Sequence, residues 1–338
     1  MKFRQLALPL TLVAAFVASS TAFAQDIQTR TIRFGHLTPV GHPISDGVRR
    51  FAELVSQKSG GKLVVKEFAA SVLGGELQQQ AAVQGGVQEM FTPATTTAAA
   101  LVKEFGILDA PFSITNAQQA DALLQGRFGK ALLDRLPEKG IVGLDYWETG
   151  FRNFTNSRKP ILAADDVKGL KIRVMANPVF VESFGALGTN PVPMAFGELY
   201  GALESKALDA QENPYTIILS NKFYEVQKFV SVTNHVYTAN LIEVSKKFWD
   251  KLSAAEQKIL QDSAREAGVY QRKVSRDSAQ QSRTELEAKG MKVNEVPAAE
   301  LAKMRQSTVP VIDKFAATYD PALMKIYREE MDKIHANR

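Results

Sequence analysis

Residues 167–175 read VKGLKIRVM and describe a strand that leads into a helix. From position 171 to 174 isoleucine and valine alternate with lysine and arginine, which is the period-two pattern of a half-buried β-strand. Asn177 and Pro178 follow, and this pair is typical of an N-cap and the first turn of a helix. Arg173 lies in the middle of this short strand. It is either a solvated charge on an open sheet face or the partner of a bound anion.

The same order of strand and helix recurs along the chain. Alternating or apolar runs predict strands at 31–36, 62–68, 87–91, 141–147, 152–156, 170–175, 208–211, 228–232 and 237–244. Helical spacing predicts helices at 44–59, 77–83, 116–136, 177–184 and 196–206, and the small residues at 92–97 (TPATTT) predict a loop. This alternation predicts an α/β fold with a largely parallel sheet covered by helices on both faces.

A long helix is predicted near the carboxyl terminus. Ser253 and Glu256 form a capping box, and the sequence from there to Lys289 contains no proline. At about 1.5 Å per residue this helix is on the order of 55 Å long, although Gly268 could bend it. The length of 338 residues suggests two domains, and a helix of this length could brace both.

The first 24 residues have the pattern of a secretory signal peptide. Lys2 and Arg4 precede an apolar stretch at 6–17, and small residues end in the sequence Ala22-Phe23-Ala24. The apolar stretch is shorter than the roughly 20 residues of a membrane anchor. We therefore expect export with cleavage after Ala24, and we exclude these residues from the fold.

Composition and charge exclude several classes of function. The chain has no cysteine, which excludes disulfides, thiolate nucleophiles and cysteine metal sites. The formal net charge is +5, but the basic residues are interleaved with acidic ones, so we do not expect nucleic acid as a partner. The four histidines lack metal-binding spacing, and there is no G-x-S-x-G motif. We expect no cofactor, no metal and no catalytic set.

Several polar residues lie at the carboxyl ends of the predicted strands or just beyond them. They are Glu76, the loop at 92–97, Arg152, Arg173 and Asn213. In an open α/β sheet ligands bind outside these strand ends, and an arginine fork binds a carboxylate through two hydrogen bonds. Taken singly, each residue also has an ordinary interpretation: a solvated arginine, an asparagine helix cap, or a glutamate in a first helical turn.

The chain resembles the DctP-type substrate-binding subunits of tripartite ATP-independent periplasmic (TRAP) transporters. The resemblance rests on PI…DDVKGLKIRV, NPVPMAFGELYGALESKALDAQENP, KFYEVQKFV and TNH, together with SVLGGELQQ…QGGVQEMF and GFRNFTNS. It implies a two-lobe periplasmic-binding-protein fold, in which each lobe is a mixed sheet flanked by helices and the long C-terminal helix braces both. The first lobe would comprise residues 26–150 and 240–276, and the second lobe residues 151–239 and 277–338.

The resemblance also implies roles for individual residues. Arg173 would pair with the ligand carboxylate and select for it. The other expected ligand-binding residues are Asn213, Arg152, Phe196, Glu76 and Thr95, with His36 and Leu37 at a position that varies in type and His235 as a weaker candidate near the hinge. Taken by itself, Phe196 would be interpreted as a core residue.

The expected function is capture of an organic acid anion in the periplasm by a monomeric protein. By resemblance, the closed form would deliver it to membrane permease subunits driven by an ion gradient. Two alternatives stay open: a binding protein of another importer or sensor system, and a secreted α/β enzyme that acts on an organic acid. Dicarboxylates, 2-oxo or hydroxy acids, sugar acids and aromatic acids all suit an arginine clamp.

Overall fold

The computed structural model describes residues 27–336, so the predicted signal peptide lies outside the described residues. The strands are β1 (Arg30–Gly35), β2 (Leu63–Phe68), β3 (Met90–Phe91), β4 (Ile141–Asn156), β5 (Lys171–Val174), β6 (Asn190–Pro193), β7 (Ala210–Asn213), β8 (Phe229–Ser245) and β9 (Lys292–Glu295). The helices are α1 (Pro43–Lys58), α2 (Glu76–Gly85), α3 (Thr95–Ala98), α4 (Ala117–Leu124), α5 (Arg127–Leu133), α6 (Pro178–Ala186), α7 (Leu199–Glu204), α8 (Tyr215–Ser220), α9 (Lys246–Trp249), α10 (Ala254–Ala288), α11 (Ala298–Ala316) and α12 (Pro321–Ala336).

These strands form one mixed sheet in the order β2-β1-β3-β8-β4-β7-β5-β6, and β9 also pairs with β8. Strands β1, β2 and β3 are parallel at one end of the sheet, and β5, β6 and β7 are parallel at the other. The long strands β4 and β8 are antiparallel and join the two groups. The sheet therefore consists of two parallel α/β units connected through one central antiparallel pair.

Two of the sequence predictions divided strands that are continuous in the structure. The pairs of strands predicted at 141–147 and 152–156, and at 228–232 and 237–244, are the single strands β4 and β8. Register shifts near Gly150, whose φ is +113°, interrupt the regular pairing without ending the strand. Such bulges insert an extra residue and break the sequence periodicity that predicts a strand.

The other strand and helix boundaries differ less from the sequence predictions. The strand predicted at 87–91 is formed only by Met90–Phe91, and residues 95–98 of the predicted loop form the short helix α3. The helix predicted at 116–136 is two helices, since α5 begins after Gly126. The helix predicted at 196–206 begins as the 3₁₀ turn Phe196–Glu198 and continues as α7.

The long helix is confirmed, with its capping box, as α10. Leu260 and Ala264 pack in the cluster that contains Phe51 and Trp147, on the side of α1 and β1. Leu286, near the other end, packs with Leu199 and other residues of α7 and α8. The helix therefore contacts both halves of the sheet, as a brace must.

The last two helices pack on different halves. α11 contacts α6, in the predicted second lobe. α12 contacts α4 and α5, and its Leu323 and Met331 are buried in the same cluster as Leu123 and Phe128. We therefore propose that residues 321–336 belong with the first lobe, although the sequence-based boundary places them in the second.

Small residues allow α1, α10 and β4 to approach closely. A Cβ atom added to Gly47 of α1 would lie 2.6 Å from Cζ3 of Trp147, which is fully buried. A Cβ atom added to Gly268 of α10 would lie 3.1 Å from Cδ1 and Nε1 of Trp147, and α10 continues through this position. These glycines therefore allow a close approach of helix to ring.

We predict that Gly47→Ala destabilises the protein. Overpacking costs about 1–3 kcal/mol, and the better helix propensity of alanine offsets up to about 1 kcal/mol of this. Gly201→Ala is the matched control, because an added Cβ there has no atom within 4 Å, and it should be neutral or slightly stabilising. Urea unfolding of both variants measures the difference, and equal free energies of unfolding would contradict the packing argument.

Candidate functional site

A cleft of about 530 Å³ of empty space, its mouth included, lies where the strand ends meet the middle of β4 and β8. Seven of the nine residues predicted from sequence line it: His36, Leu37, Glu76, Arg152, Arg173, Phe196 and Asn213. Thr95 and His235 are buried nearby and do not line it. Thr92 and Ala94 of the predicted loop at 92–97 also line it, and the lining residues that were not predicted are Thr38, Ile44, Thr149, Met175, Ile217, Thr238 and Asn240.

Arg173 extends from β5 into the cleft and is only 2% exposed. Its Nε and Nη2 donate hydrogen bonds of 3.0 and 2.8 Å to the carbonyl oxygen of Met194, and its guanidinium lies 6.0 Å from the ring centre of Phe196. Within residues 27–336 no carboxylate lies at ion-pair distance from it. Burial lowers the pKa of Arg173 to about 10, together with the charge of Arg152. The side chain therefore remains a buried cation at neutral pH.

Arg152 extends from β4 into the same cleft, but its charge is neutralised by the protein. Its Nε and Nη2 both donate to the carboxylate of Glu212, with 2.8 Å between Nη2 and Oε1. Nη2 also donates to Oδ1 of Asn213 at 3.1 Å, and Nη1 to Oγ1 of Thr238 at 3.3 Å. This two-pronged contact is the strong geometry for an arginine and a carboxylate.

Glu212 is also held by His235, which lies behind the cleft wall. His235 Nε2 is 3.0 Å from the Glu212 carboxylate, and its Nδ1 is 2.8 Å from Oγ1 of Thr233. Burial lowers the pKa of His235 despite the neighbouring Glu212, so the ring is neutral and donates through Nε2. Burial favours a raised pKa for Glu212, but Arg152 and His235 outweigh it and lower the pKa. His235 thus positions Glu212, which positions Arg152.

The small residues after β3 contribute to the cleft at different depths. Thr92 and Ala94 line it, and the Oγ1 of Thr92 is buried without a hydrogen-bond partner in the described part of the chain. Thr95 begins α3 and lies outside the wall. Thr97 donates a 2.7 Å hydrogen bond to Oε1 of Glu76 and so orients that carboxylate at the cleft.

His36 ends the β1 side of the cleft and is fully buried. Its Nδ1 lies 3.1 Å from Oγ1 of Thr38, and its Nε2 lies 2.9 Å from Oε1 of Glu67. Ser45 donates to the same Glu67 oxygen at 2.5 Å. Because these contacts fix the ring, His36 is a rigid part of the wall beside the partly exposed Leu37.

Asn213 ends β7 and does not cap a helix, because the N-cap position of α8 is Pro214. Its Nδ2 donates to Oε1 of Gln211 at 2.5 Å. The side chain is thereby held beside Arg152 at the floor of the cleft.

Sequence reasoning missed Thr149, Thr238 and Asn240 because they lie on the long central strands. Thr149 donates from Oγ1 to Oδ1 of Asn240, across the β4–β8 pair. Residues 148–151 fell between two predicted strands, so their side chains could not be assigned to a face. The threonine and asparagine of the sequence TAN at 238–240 were the available signal, since polar residues inside an otherwise apolar strand are unusual.

Comparison with known proteins identifies the arrangement. A sequence model described as bacterial extracellular solute-binding protein, family 7 (DctP), matches residues 34–318. The 2,3-diketo-L-gulonate-binding periplasmic protein YiaO of Escherichia coli is 36% identical over 281 residues, which are 83% of this chain and 86% of that protein.

Two solved structures have the same fold. The sugar acid binding protein DctPAm from Advenella mimigardefordensis, in complex with galactonate, is 40% identical with a TM-score of 0.89, and the match covers 91% of this chain and 99% of that one. A TRAP periplasmic solute-binding protein from Polaromonas sp. JS666, bound to D-erythronate, is 35% identical with a TM-score of 0.84, and the coverages are 90% and 98%. The expected fold class and resemblance are confirmed, and the chain belongs to family 7 of the bacterial extracellular solute-binding proteins, the DctP family of TRAP transporter subunits.

Proposed function

We propose that this protein captures a monocarboxylate that carries several hydroxyl groups, an acid of the sugar-acid class, in the cleft between its lobes. The observation that carries this proposal is the charge state of the two cleft arginines. Arg152 is paired with Glu212, whereas Arg173 has no carboxylate partner in residues 27–336. A buried unpaired charge is costly, so the cleft supplies one strong binding position for one carboxylate.

The rest of the cleft suits hydroxyl groups better than a second carboxylate. Glu76 presents a carboxylate, which would repel a second anionic group and accept hydrogen bonds from hydroxyls. Thr92 has an unpartnered hydroxyl, and Asn213 and Asn240 add amide groups that can donate and accept. Phe196 and Met175 offer apolar contact to the carbon chain.

The names of three related proteins agree with this choice, whereas relatives of 30–32% identity from Bacillus subtilis, Rhodobacter capsulatus and Vibrio cholerae are named for C4-dicarboxylates. The Advenella structure contains galactonate, the Polaromonas structure contains D-erythronate, and the Escherichia coli relative is named for 2,3-diketo-L-gulonate. Galactonate and erythronate each combine one carboxylate with several hydroxyls. We use D-galactonate as the probe ligand for this chain.

Closure and delivery complete the proposed cycle. The ligand would contact Arg173, Asn213 and Phe196 from the second lobe and Glu76 from the first, so binding favours the closed arrangement. The closed protein would then pass the acid to the membrane permease subunits of a TRAP transporter. We propose binding without turnover, so the acid should be recovered chemically unchanged after incubation.

The proposed location is the periplasm. Family membership supports it, and among residues 27–336 no helix combines the length and the apolarity needed to cross a bilayer. Cleavage after Ala24 belongs to this proposal, and the mass of the exported protein tests it.

Arg173→Ala should weaken D-galactonate binding roughly 30-fold to several-thousand-fold. Loss of one partner of a buried charge pair costs about 2–5 kcal/mol. Lys171→Ala is the matched control, since this exposed cation lies on the same strand and should leave the affinity unchanged. Titration calorimetry measures both, and binding by Arg173→Ala within about twofold of wild type would falsify the clamp.

A thermal-shift panel separates the ligand classes. D-galactonate and D-erythronate should raise Tm, because a ligand at 100 times its Kd stabilises the folded state by about 2.7 kcal/mol. Succinate and malate should raise Tm less at equal concentration, since the cleft has one unpaired cation. A larger shift with the dicarboxylates would show that Arg152 also binds a carboxylate, and would overturn the monocarboxylate assignment.

Glu212→Gln should destabilise the protein by about 3–5 kcal/mol, because it leaves Arg152 as a second buried and unpaired charge. Glu329→Gln is the control: its partner Arg127 is 57% exposed, so this loss should cost less than about 1 kcal/mol. Urea unfolding of the ligand-free proteins at pH 7 gives both values. Similar losses in the two variants would show that the Arg152–Glu212 pair is not a buried structural contact.

A further inference from the structure

Asp109 lies where the two predicted lobes meet, outside the wall of the cleft. It ends the 3₁₀ helix Lys103–Asp109 and is 2% exposed. Its Oδ1 accepts a 2.7 Å hydrogen bond from Oγ1 of Thr96, and its Oδ2 accepts a 3.0 Å hydrogen bond from Nδ2 of Asn177. Both oxygens of this buried carboxylate are therefore engaged.

The two donors belong to opposite sides of the cleft. Thr96 is part of α3, which directly follows the lining residues Thr92 and Ala94. Asn177 follows the strand that carries Arg173, and its Oδ1 also caps α6 by accepting the amide of Val179 at 2.7 Å. The Asp109 carboxylate thus connects the first-lobe wall to the end of the Arg173 strand.

The residues after Asp109 make a second contact with the second lobe. The amide of Phe112 donates a 2.6 Å hydrogen bond to the carbonyl oxygen of His235, and the Phe112 side chain packs in the cluster of Phe154 and Phe184. Phe112 has a φ of +61°, a conformation that costs of order 1–3 kcal/mol in a bulky residue. This packing fixes the segment and hence the place of Asp109.

We propose that Asp109 is a positioning residue for ligand capture, which links the lobes in the closed form and takes up a proton as they close. The proposal rests on the lobe closure described under the proposed function. In this proposal the structure, in which Asp109 is buried, corresponds to the closed form, and opening would expose the carboxyl group to solvent. Protonation preserves both contacts, because the acid can donate to Oγ1 of Thr96 through one oxygen and accept from Asn177 through the other.

The electrostatic surroundings of Asp109 favour uptake of a proton when the carboxyl group is buried. Burial raises the pKa of Asp109 to about 7, against the Thr96 hydrogen bond and the charge of Arg152, and Glu212 raises it further. Tyr319, after α11, faces the same carboxyl. The α3 segment TTTA carries no charge, and Glu182 of α6 is paired with Lys314 at the surface. On β8, burial keeps His235 neutral.

The raised pKa of Asp109 makes closure of the lobes depend on pH. A solvated aspartate has a pKa of about 3.9, so the closed form binds more protons than the open form between roughly pH 4 and 7. Closure is therefore favoured as the pH falls through 7 and is disfavoured above it. For one such group the closed-to-open ratio should rise about tenfold between pH 8 and pH 6.

Distance measurements between spin labels test this without any ligand. The chain has no cysteine, so labels can be attached specifically through Val72→Cys in the first lobe and Leu162→Cys in the second, at positions 67% and 53% exposed. Pulsed electron paramagnetic resonance at pH 8 and pH 6 should show the population at the shorter distance rising about tenfold relative to that at the longer distance as the pH falls. In Asp109→Asn this response should disappear. The D-galactonate Kd of the unlabelled proteins should change in parallel.

Two further variants separate positioning from general stability. Asp145→Asn removes another buried aspartate, whose pKa burial raises to about 6, but its contacts are with Gln125 and Arg272, so the pH response should persist. Asn177→Ser retains a residue that caps helices well and removes the amide donor, so it should lower the closed fraction at every pH. A wild type without pH response, or an Asp109→Asn variant with the wild-type response, overturns the proposal. Failure of every organic acid to bind would overturn the proposed function and leave the distance result intact.

Discussion

The antiparallel pairing of β4 with β8 is the constraint on which the site depends. Both strands run through the whole sheet and connect its two parallel units. Their bulged middle places Thr149, Arg152 and Asn240 in the cleft, although neighbouring residues of the same strands are core. Because the ladder continues through the bulge, the pairing of the two strands holds these residues in place at the cleft.

The polar and charged side chains beside this pair of strands form a hydrogen-bonded series. His235 holds Glu212, Glu212 holds Arg152, and Arg152 holds the amide of Asn213. Each of these four side chains is buried, and each has a partner of opposite charge or a hydrogen-bond partner. Arg173, on the neighbouring strand, lacks such a charged partner in the described residues. The paired arginine is therefore a fixed donor on the floor of the cleft, and in the proposed function the unpaired one would supply the attraction for an anion.

Local features were predictable from sequence, and long-range pairings were not. The strand around Arg173, the Asn177 cap and the capping box at Ser253 depend on neighbours in the chain, and all are present. The pairing of Arg152 with Glu212 depends on the β4–β7 register, which no local pattern encodes. The bulge at Gly150 hid the continuity of β4. The edge strand β6 was missed because its sequence, NPVP, contains two prolines, which only an edge strand tolerates.

In the proposed function, the unpaired guanidinium also gives a reason for the protein to remain open until it meets its ligand. Closing the cleft removes water from Arg173, and the carbonyl oxygen of Met194 does not neutralise its charge. A buried cation without a counter-ion costs several kcal/mol, so the empty closed form is disfavoured. A carboxylate cancels that cost and adds hydrogen bonds, while a neutral sugar would leave the charge uncompensated. In the proposed function, selectivity for acids and closure upon binding would both follow from Arg173, and the permease would encounter a closed protein chiefly when it carries cargo.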